Sequence, residues 1–454
     1  MSGLWTRARN ALQEPVDGTW LAALRILLGV VLGVSMLRFL AYGWIDRFFV
    51  QPHFHFKYWG FEWVEPLPGP YMHALFWLLA ALSFASALGL FYRFSAIAFA
   101  LGLTYVQLID VTTYLNHYYL AALLAWLLAF SPAARCWSLD AWRRGPAADG
   151  GSQVAAGALY LFRIQVGMVY IFAGLAKLQS DWLLHAQPLR IWLGARADLP
   201  LIGPTFSWPW VPLAMSWAGF LFDTTIVGWL AWRRSRPYAY AILLAFHALT
   251  RLLFPIGMFP LIMSCAALVF FNPDWPRKLL RLSKPCPSPC PCPAVSPLAI
   301  ALGTTYCAIQ LLVPLRSFAY DGNVLWHEQG MRFSFRVMLR AKGGHTTFVV
   351  HDRASGRTFH VSPREYLTDL QESEMSGQPD MILQLAKHIR RDFEARGLGP
   401  VEVRADARAA LNGRLSTALV DPTVDLSLLA DGFLQAPWIT QAPSAPPPHT
   451  RPVR

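Results

Sequence analysis

The chain has 454 residues, of which 55% are hydrophobic, 14% aromatic and 15% charged, with a formal net charge of +12. Soluble domains carry about 25% charged residues, and the deficit here is concentrated before residue 315, which excludes a soluble globular protein for that part. The positive balance lies largely in short loops between apolar runs, as membrane topology requires, and no basic face interleaved with aromatics marks a nucleic-acid partner.

In chain order, about nine apolar stretches reach or approach bilayer length: 19–40, 71–92, 95–112, 117–132, 155–178, 211–231, 237–253, 256–271 and 296–314. The third, fourth, seventh and eighth are short for a ~30 Å hydrocarbon core, so their ends are soft. The first stretch is near bilayer length and no small-x-small site follows it, which argues against a cleaved signal peptide. Basic residues set the orientation. Arg7 and Arg9, Arg93, Arg135 with Arg143 and Arg144, Arg233 with Arg234 and Arg236, and Arg277 with Lys278, Arg281 and Lys284 fall on one side of the alternation. That side is expected to be cytoplasmic, with the N-terminus (1–18) on it and everything after residue 314 outside. The aromatic loop HFHFKYWGFEWVEPLPGPY, 53–71, reads as an interfacial belt or as a surface segment roofing a cavity.

After residue 315 the pattern changes to a small α+β domain, 315–440. RFSFRVMLRA and TTFVVHD alternate as strands do, and GRTFHVS follows a turn at Ala354–Gly356. MILQLAKHIRRDFEARG repeats apolar residues at helical spacing over about Asp380 to Arg396 and ends on glycine. PVEVRADARAALNGRLS reads as a further strand pair, and the proline-rich tail, 441–454, as disordered. The fold class expected is therefore a polytopic α-helical membrane protein, with residues 19–314 in the membrane domain and a small α+β extracytoplasmic domain behind it. Three of the six cysteines, Cys286, Cys290 and Cys292, crowd into KPCPSPCPCP. Prolines around each make a stiff strip rather than a ligand turn, so no metal is expected. The C-terminal domain has no cysteine.

Ionisable residues inside apolar helices are the strongest functional pointers, because burying them in a bilayer is costly. Lys177, in IFAGLAKLQSDW, is the sharpest. It either snorkels to the headgroups or pairs with Asp181 at i+4, or it stands in an apolar cavity that disfavours the ammonium and leaves an amine able to act as a base. Asn116 and His117 lie among tyrosines at the start of a span, as an interfacial cluster or as a polar pocket facing Lys177. Arg163, Asp110, Asp223, His247 and Arg251 are further membrane-depth residues, Asp223 reading as one half of a structural pair with a base on a neighbouring helix. No nucleotide loop, dinucleotide fingerprint, HExxH or nucleophile elbow is present.

VYIFAGLAKLQSDWL resembles the helix of vitamin K-dependent gamma-glutamyl carboxylases that carries the catalytic lysine. LNHYYLAALLAWLLAF is similar to that family's Asn-His segment, and HFKYWGFEWV, FPIGMFP, GNVLWHEQGMRFSFRVMLR and DPTVDL follow in the family's order, from about 15 to 440. The broader group is the horizontally transferred transmembrane (HTTM) domain family. The resemblance implies a lyase-type carboxylation coupled to quinone epoxidation. A lysine deprotonates vitamin K hydroquinone, oxygen addition gives an alkoxide that takes a γ-proton from a peptide glutamate, and the carbanion captures carbon dioxide. By position Lys177 would be the base, with His117 and Asn116 orienting it or stabilising the anion. A carboxylate close to Lys177 would favour its ammonium, so Asp181 has to point away or be neutralised. Arg332, Arg336, Arg340, Lys342 and His345 are candidates to receive the substrate carboxylate. Expected co-reactants are vitamin K hydroquinone or menaquinol, O2 and CO2, with membrane lipid and a glutamate-containing peptide or protein as partners. Animal members carry a further β-rich region that helps bind a propeptide, and a disulfide joining their two parts. Loop lengths and composition here resemble bacterial members, which implies the bacterial inner membrane. Quinol epoxidation without carboxylation, and non-enzymatic quinone or lipid binding, are the alternatives.

Overall fold

A computed structural model describes residues 2–145, 153–282 and 294–448; the cysteines of KPCPSPCPCP and the last six residues of the tail lie outside these ranges. A helix covers most or all of each of the nine apolar stretches. Among the described residues, six helices are long and apolar enough to cross a membrane: Thr19–Ala41, Gly69–Leu88, Tyr92–Ile109, Ala156–Leu175, Trp210–Ala231 and a last one running Pro297–Ala319. Asn116–Phe130 and Phe259–Phe270 are apolar but shorter, and Arg236–Leu253 completes the set. Their outward faces carry exposed Trp77, Leu101, Ile242 and Leu302, the surface a helix presents to hydrocarbon rather than water. These helices make the protein an integral membrane protein.

Polar groups inside the bundle are spent on open helix ends. Arg25, fully buried, donates to the carbonyls of Ser86 and Trp137. Arg163 donates to the carbonyls of Val269, Phe270 and Phe271, where a helix terminates. Asp110 caps the turn after its helix through Thr112, while its other oxygen accepts from His55 Nδ1 at 3.0 Å and from Gln371 Nε2 at 2.9 Å. Gln371 belongs to the C-terminal domain, so this carboxylate ties that domain to the membrane part.

The C-terminal domain is built on a four-stranded antiparallel sheet in which Lys342–Asp352 lies between Thr358–Val361 and Val401–Leu411, with Thr417–Ala418 at the edge. Val350 pairs with Val403 and Phe348 with Ala405. Along Val401–Leu411 the buried positions alternate, as one covered face demands, and helix Pro379–Ala395 covers it with Met381, Leu385, Ile389 and Phe393. The helix stops at Gly397, in the left-handed region at φ +85°.

One expectation fails here. RFSFRVMLRA, 332–341, forms no strand; Phe333, Phe335 and Met338 have positive φ and the segment is irregular. Its alternation has another cause. Phe335 packs on Tyr119 of the membrane part and Phe333 on Tyr58 and Tyr114, while the intervening arginines meet separate polar partners. The aromatic loop after Thr19–Ala41 supports the C-terminal domain as well. Lys57 N–H donates to Gln384 Oε1, Gln384 Nε2 donates back to the Lys57 carbonyl, and the loop lines neither cavity described below. A single apolar core runs from Trp182, Leu189, Leu253 and Phe254 of the membrane part into Trp326, Phe348 and Val403.

Candidate functional site

Lys177 lies just past the helix Ala156–Leu175, in the turn that follows, where its N–H donates to the Gly174 carbonyl at 2.9 Å. It does not snorkel: it is 6% exposed, and its Nζ donates to Asp223 Oδ2 at 2.7 Å and to the Ala173 carbonyl at 3.1 Å. Asp223 comes from Trp210–Ala231, which packs directly on the lysine's helix. Gly174 makes that approach possible, since a Cβ there would stand 2.6 Å from Thr224 Cγ2 and 3.0 Å from the Thr224 backbone nitrogen. The indole of Trp182 lies 5.2 Å from the ammonium, fixed by Nε1 donating to the Ser216 carbonyl.

Asp181 is not the lysine's partner. Its Oδ2 accepts from Asn412 Nδ2 at 2.8 Å and Arg414 Nη1 at 2.7 Å, and its Oδ1 from Arg414 Nη2 at 2.7 Å. Burial alone would push the Asp181 carboxyl up; the bonds from Arg414 and Asn412 outweigh it and hold the group below the usual carboxylate range. The carboxylate that favours the ammonium is therefore Asp223, contributed by a neighbouring helix.

Lys177 and Asp223 face a cavity of about 160 Å³ walled by four helices of the bundle, the Trp182–Trp192 segment and Val337–Met338 of the C-terminal domain. Its walls are apolar apart from this pair, Thr250, and Tyr170 with His247. Tyr170 Oη and His247 Nε2 are 3.0 Å apart, and His247 Nδ1 is buried without a hydrogen-bond partner. A flat apolar ring with polar groups at its edge suits such a chamber, with one orphaned nitrogen left to satisfy.

A second cavity, of about 350 Å³, adjoins the first, and Met338 lines both. It is polar, with Asn116, Arg332, Arg336, Arg340, Lys342, Glu328 and Glu374 in its wall. Two of the arginines are already engaged, Arg332 by Asp380 at 2.5 Å and Arg340 by Glu328 at 2.8 Å. Arg336 bonds only Ser317 Oγ, at 2.7 Å, and its Nε is buried without a partner. Lys342 is pushed down to about 8 by burial, against the pull of Glu328. Glu374 is pushed up, by burial first.

Neither residue of the Asn-His pair touches Lys177. Consecutive positions on a helix point about 100° apart. Asn116 accordingly lines the arginine cavity, where Nδ2 donates to the Arg336 carbonyl at 3.4 Å. His117 turns into the bundle beside Tyr118, Gly257 and Phe259, the last of which lines the lysine cavity. His345 is exposed on its strand and lines neither cavity. Sequence reasoning did not single out Tyr170, Asn412 or Arg414; nothing local marks them, because each acquires its role from a distant segment. Among the described residues, no group of three or more His, Cys, Asp or Glu converges on a common point.

Helices apolar on their outer faces, a buried lysine–carboxylate pair in an apolar cavity and an arginine-lined cavity beside it define an integral membrane protein with two adjoining chambers of opposite polarity. The HTTM domain matches over residues 13–275 and the lumenal domain of vitamin K-dependent gamma-carboxylase over residues 295–445. The chain belongs to the vitamin K-dependent gamma-carboxylase family and is a carboxylase-like membrane protein. No solved structure matches it.

Proposed function

We propose that the chain is a quinol-dependent gamma-carboxylase in which Lys177 is the base, working in the apolar cavity, and Arg336 receives the glutamate carboxylate in the polar one. The observation that carries this reading is the shared wall at Met338, which sets a chamber for an apolar ring directly beside a chamber for an anion. On this reading residues 19–314 are the catalytic membrane domain, crossing nine times. Residues 315–440 are then extracytoplasmic, with the N-terminus cytoplasmic, as the basic loops favour.

The residues present suit a naphthoquinol such as vitamin K hydroquinone or menaquinol. The walls are largely apolar, and the Lys177–Asp223 pair and the Tyr170–His247 pair are the polar groups among them. When bound, the quinol supplies, with O2, the oxidative driving force for removing an unactivated proton, and it leaves as the epoxide. Lys177 accepts the quinol's hydroxyl proton as a neutral amine. Asp223, 2.7 Å away, stabilises the ammonium that results. Asn116 holds the backbone of Arg336, and Arg336 fixes the side chain to be carboxylated with CO2. His117 supports the Phe259 wall.

The test is quinone-epoxide formation by purified protein in nanodiscs, given reduced vitamin K or menaquinol and O2. A glutamate peptide and labelled bicarbonate report carboxylation in parallel. Epoxide and labelled peptide from the native protein, with neither from Lys177→Ala, is the expected result. Epoxide without labelled peptide would leave an epoxidase. No epoxide from any quinol with folded protein would end the enzymatic reading.

A further inference from the structure

The Asn412–Arg414 turn reaches across from the C-terminal domain to the residue pair beside the lysine. Asn412, at φ +52°, uses its side chain in two directions: Oδ1 accepts from the Ala341 N–H at 3.0 Å, and Nδ2 donates to Asp181 at 2.8 Å. Arg414 grips the same carboxylate through both of its oxygens, and its Nε donates to the Ala445 carbonyl at 2.7 Å. Asp181 is 5% exposed, and the next residue, Trp182, is the ring against which the Lys177 ammonium lies. A carboxylate buried four positions from a lysine would ordinarily compete for it. Here both of its oxygens are occupied.

We propose that the Asn412–Arg414 turn is a positioning element for Lys177: by engaging both oxygens of Asp181 it cancels that charge and leaves Asp223 as the lysine's single carboxylate partner. The functional weight of this device rests on Lys177 being the base, but the charge effect itself does not. The groups facing the lysine are Asp223 from one helix and Tyr170 and His247 from the cavity wall. Asp181, the residue before Trp182, is held by Arg414, and His185 adds a weaker favourable charge to it. Removing the guanidinium leaves an uncompensated negative charge one residue from the indole that Lys177 lies against, and a negative charge nearby favours an ammonium over an amine. A docked C-terminal domain thereby sets the protonation behaviour of a residue in the membrane part.

The experiment reads the lysine directly and needs no catalysis. Full-length protein in nanodiscs is reductively methylated with labelled formaldehyde across a pH series, and modification of Lys177 is followed by peptide mass spectrometry. Only the free amine reacts. Arg414→Gln is expected to slow the reaction at about pH 8 by up to roughly tenfold, the factor that one pH unit represents. Arg414→Lys is expected to keep the native profile, and Arg414→Gln combined with Asp181→Asn to recover it. The recovery separates charge from structure, because the double variant lacks the ion pair as completely as the single one. An unchanged profile in Arg414→Gln, or a double variant as slow as the single, overturns the proposal. Intact methylation behaviour with no epoxide formation would reject the enzymatic reading and leave this inference standing.

Discussion

Asp223 Oδ2, on one helix, and Lys177 Nζ, just past the end of the helix beside it, meet at 2.7 Å, each group less than a tenth exposed, in a chamber whose other walls are mostly hydrocarbon. The first consequence concerns stability. Breaking a buried pair from one side strands the other charge and typically costs about 3–5 kcal/mol, whereas replacing both partners by apolar groups is close to neutral. Lys177→Met is therefore expected to lower the melting temperature in detergent markedly, and Lys177→Met with Asp223→Leu to restore most of it. If the double variant melts no higher than the single one, the two groups do not depend on each other.

The arginine cavity gives a contrast between neighbours. Arg336 has no carboxylate partner, while Arg332 is committed to Asp380. Arg336→Ala should raise the KM for a glutamate peptide by about 10- to 100-fold, the range of a charge-assisted hydrogen bond at ~1.5–3 kcal/mol. Arg332→Ala should act chiefly on the melting temperature, because it takes from Asp380 its guanidinium partner. An unchanged KM in Arg336→Ala would remove that residue from substrate binding.

The lysine cavity should bind a naphthoquinone whether or not chemistry follows. At a hundred times its Kd a ligand specific for the folded state adds about 2.7 kcal/mol of stability, a thermal shift that is easily measured. His247→Phe should shrink the shift by removing the imidazole from the cavity wall, and Tyr170→Phe should change it less, since the ring remains. A full shift in His247→Phe would mean that the nitrogen makes no contact with the ligand.

Lys342 yields a pH prediction of unusual sign. Burial lowers its folded value to about 8, whereas an unfolded lysine titrates near ~10.4. Between those values the unfolded state holds more protons than the folded one, so this lysine's contribution to stability rises with pH over the window, and the full penalty of burying its charge applies below it. The stability of native protein relative to Lys342→Met, followed by denaturant unfolding from pH 7 to pH 10, should increase towards the alkaline end. A flat difference would show that Lys342 keeps its proton throughout.

The helices were legible because hydrocarbon-facing helices need uninterrupted apolar runs, and Lys177 was legible because it interrupts one. What sequence could not supply was the pairing of segments. Asp223 could be read as half of a pair, yet its partner depends on which helices touch, and that is decided by a glycine at 174 meeting a threonine at 224. Asp181 could be read as a competitor for the lysine, but its captor Arg414 lies 233 residues further on. The misread strand at 332–341 shows the converse. Period-two alternation signals two environments, and here these are the membrane bundle and the arginine cavity rather than the faces of a sheet.

Asp110 with Gln371, Asp181 with Arg414, and Lys57 with Gln384 join the two halves of the molecule alongside their shared apolar core, and the half that begins after residue 315 contains no cysteine. Apart from the chain connection itself, its docking is thus a non-covalent equilibrium, indifferent to glutathione and open to titration by denaturant. The two halves should assemble as readily in a reducing cell-free translation mix supplied with lipid discs as in an oxidising compartment, which makes the whole chain accessible to synthesis without any thiol oxidase.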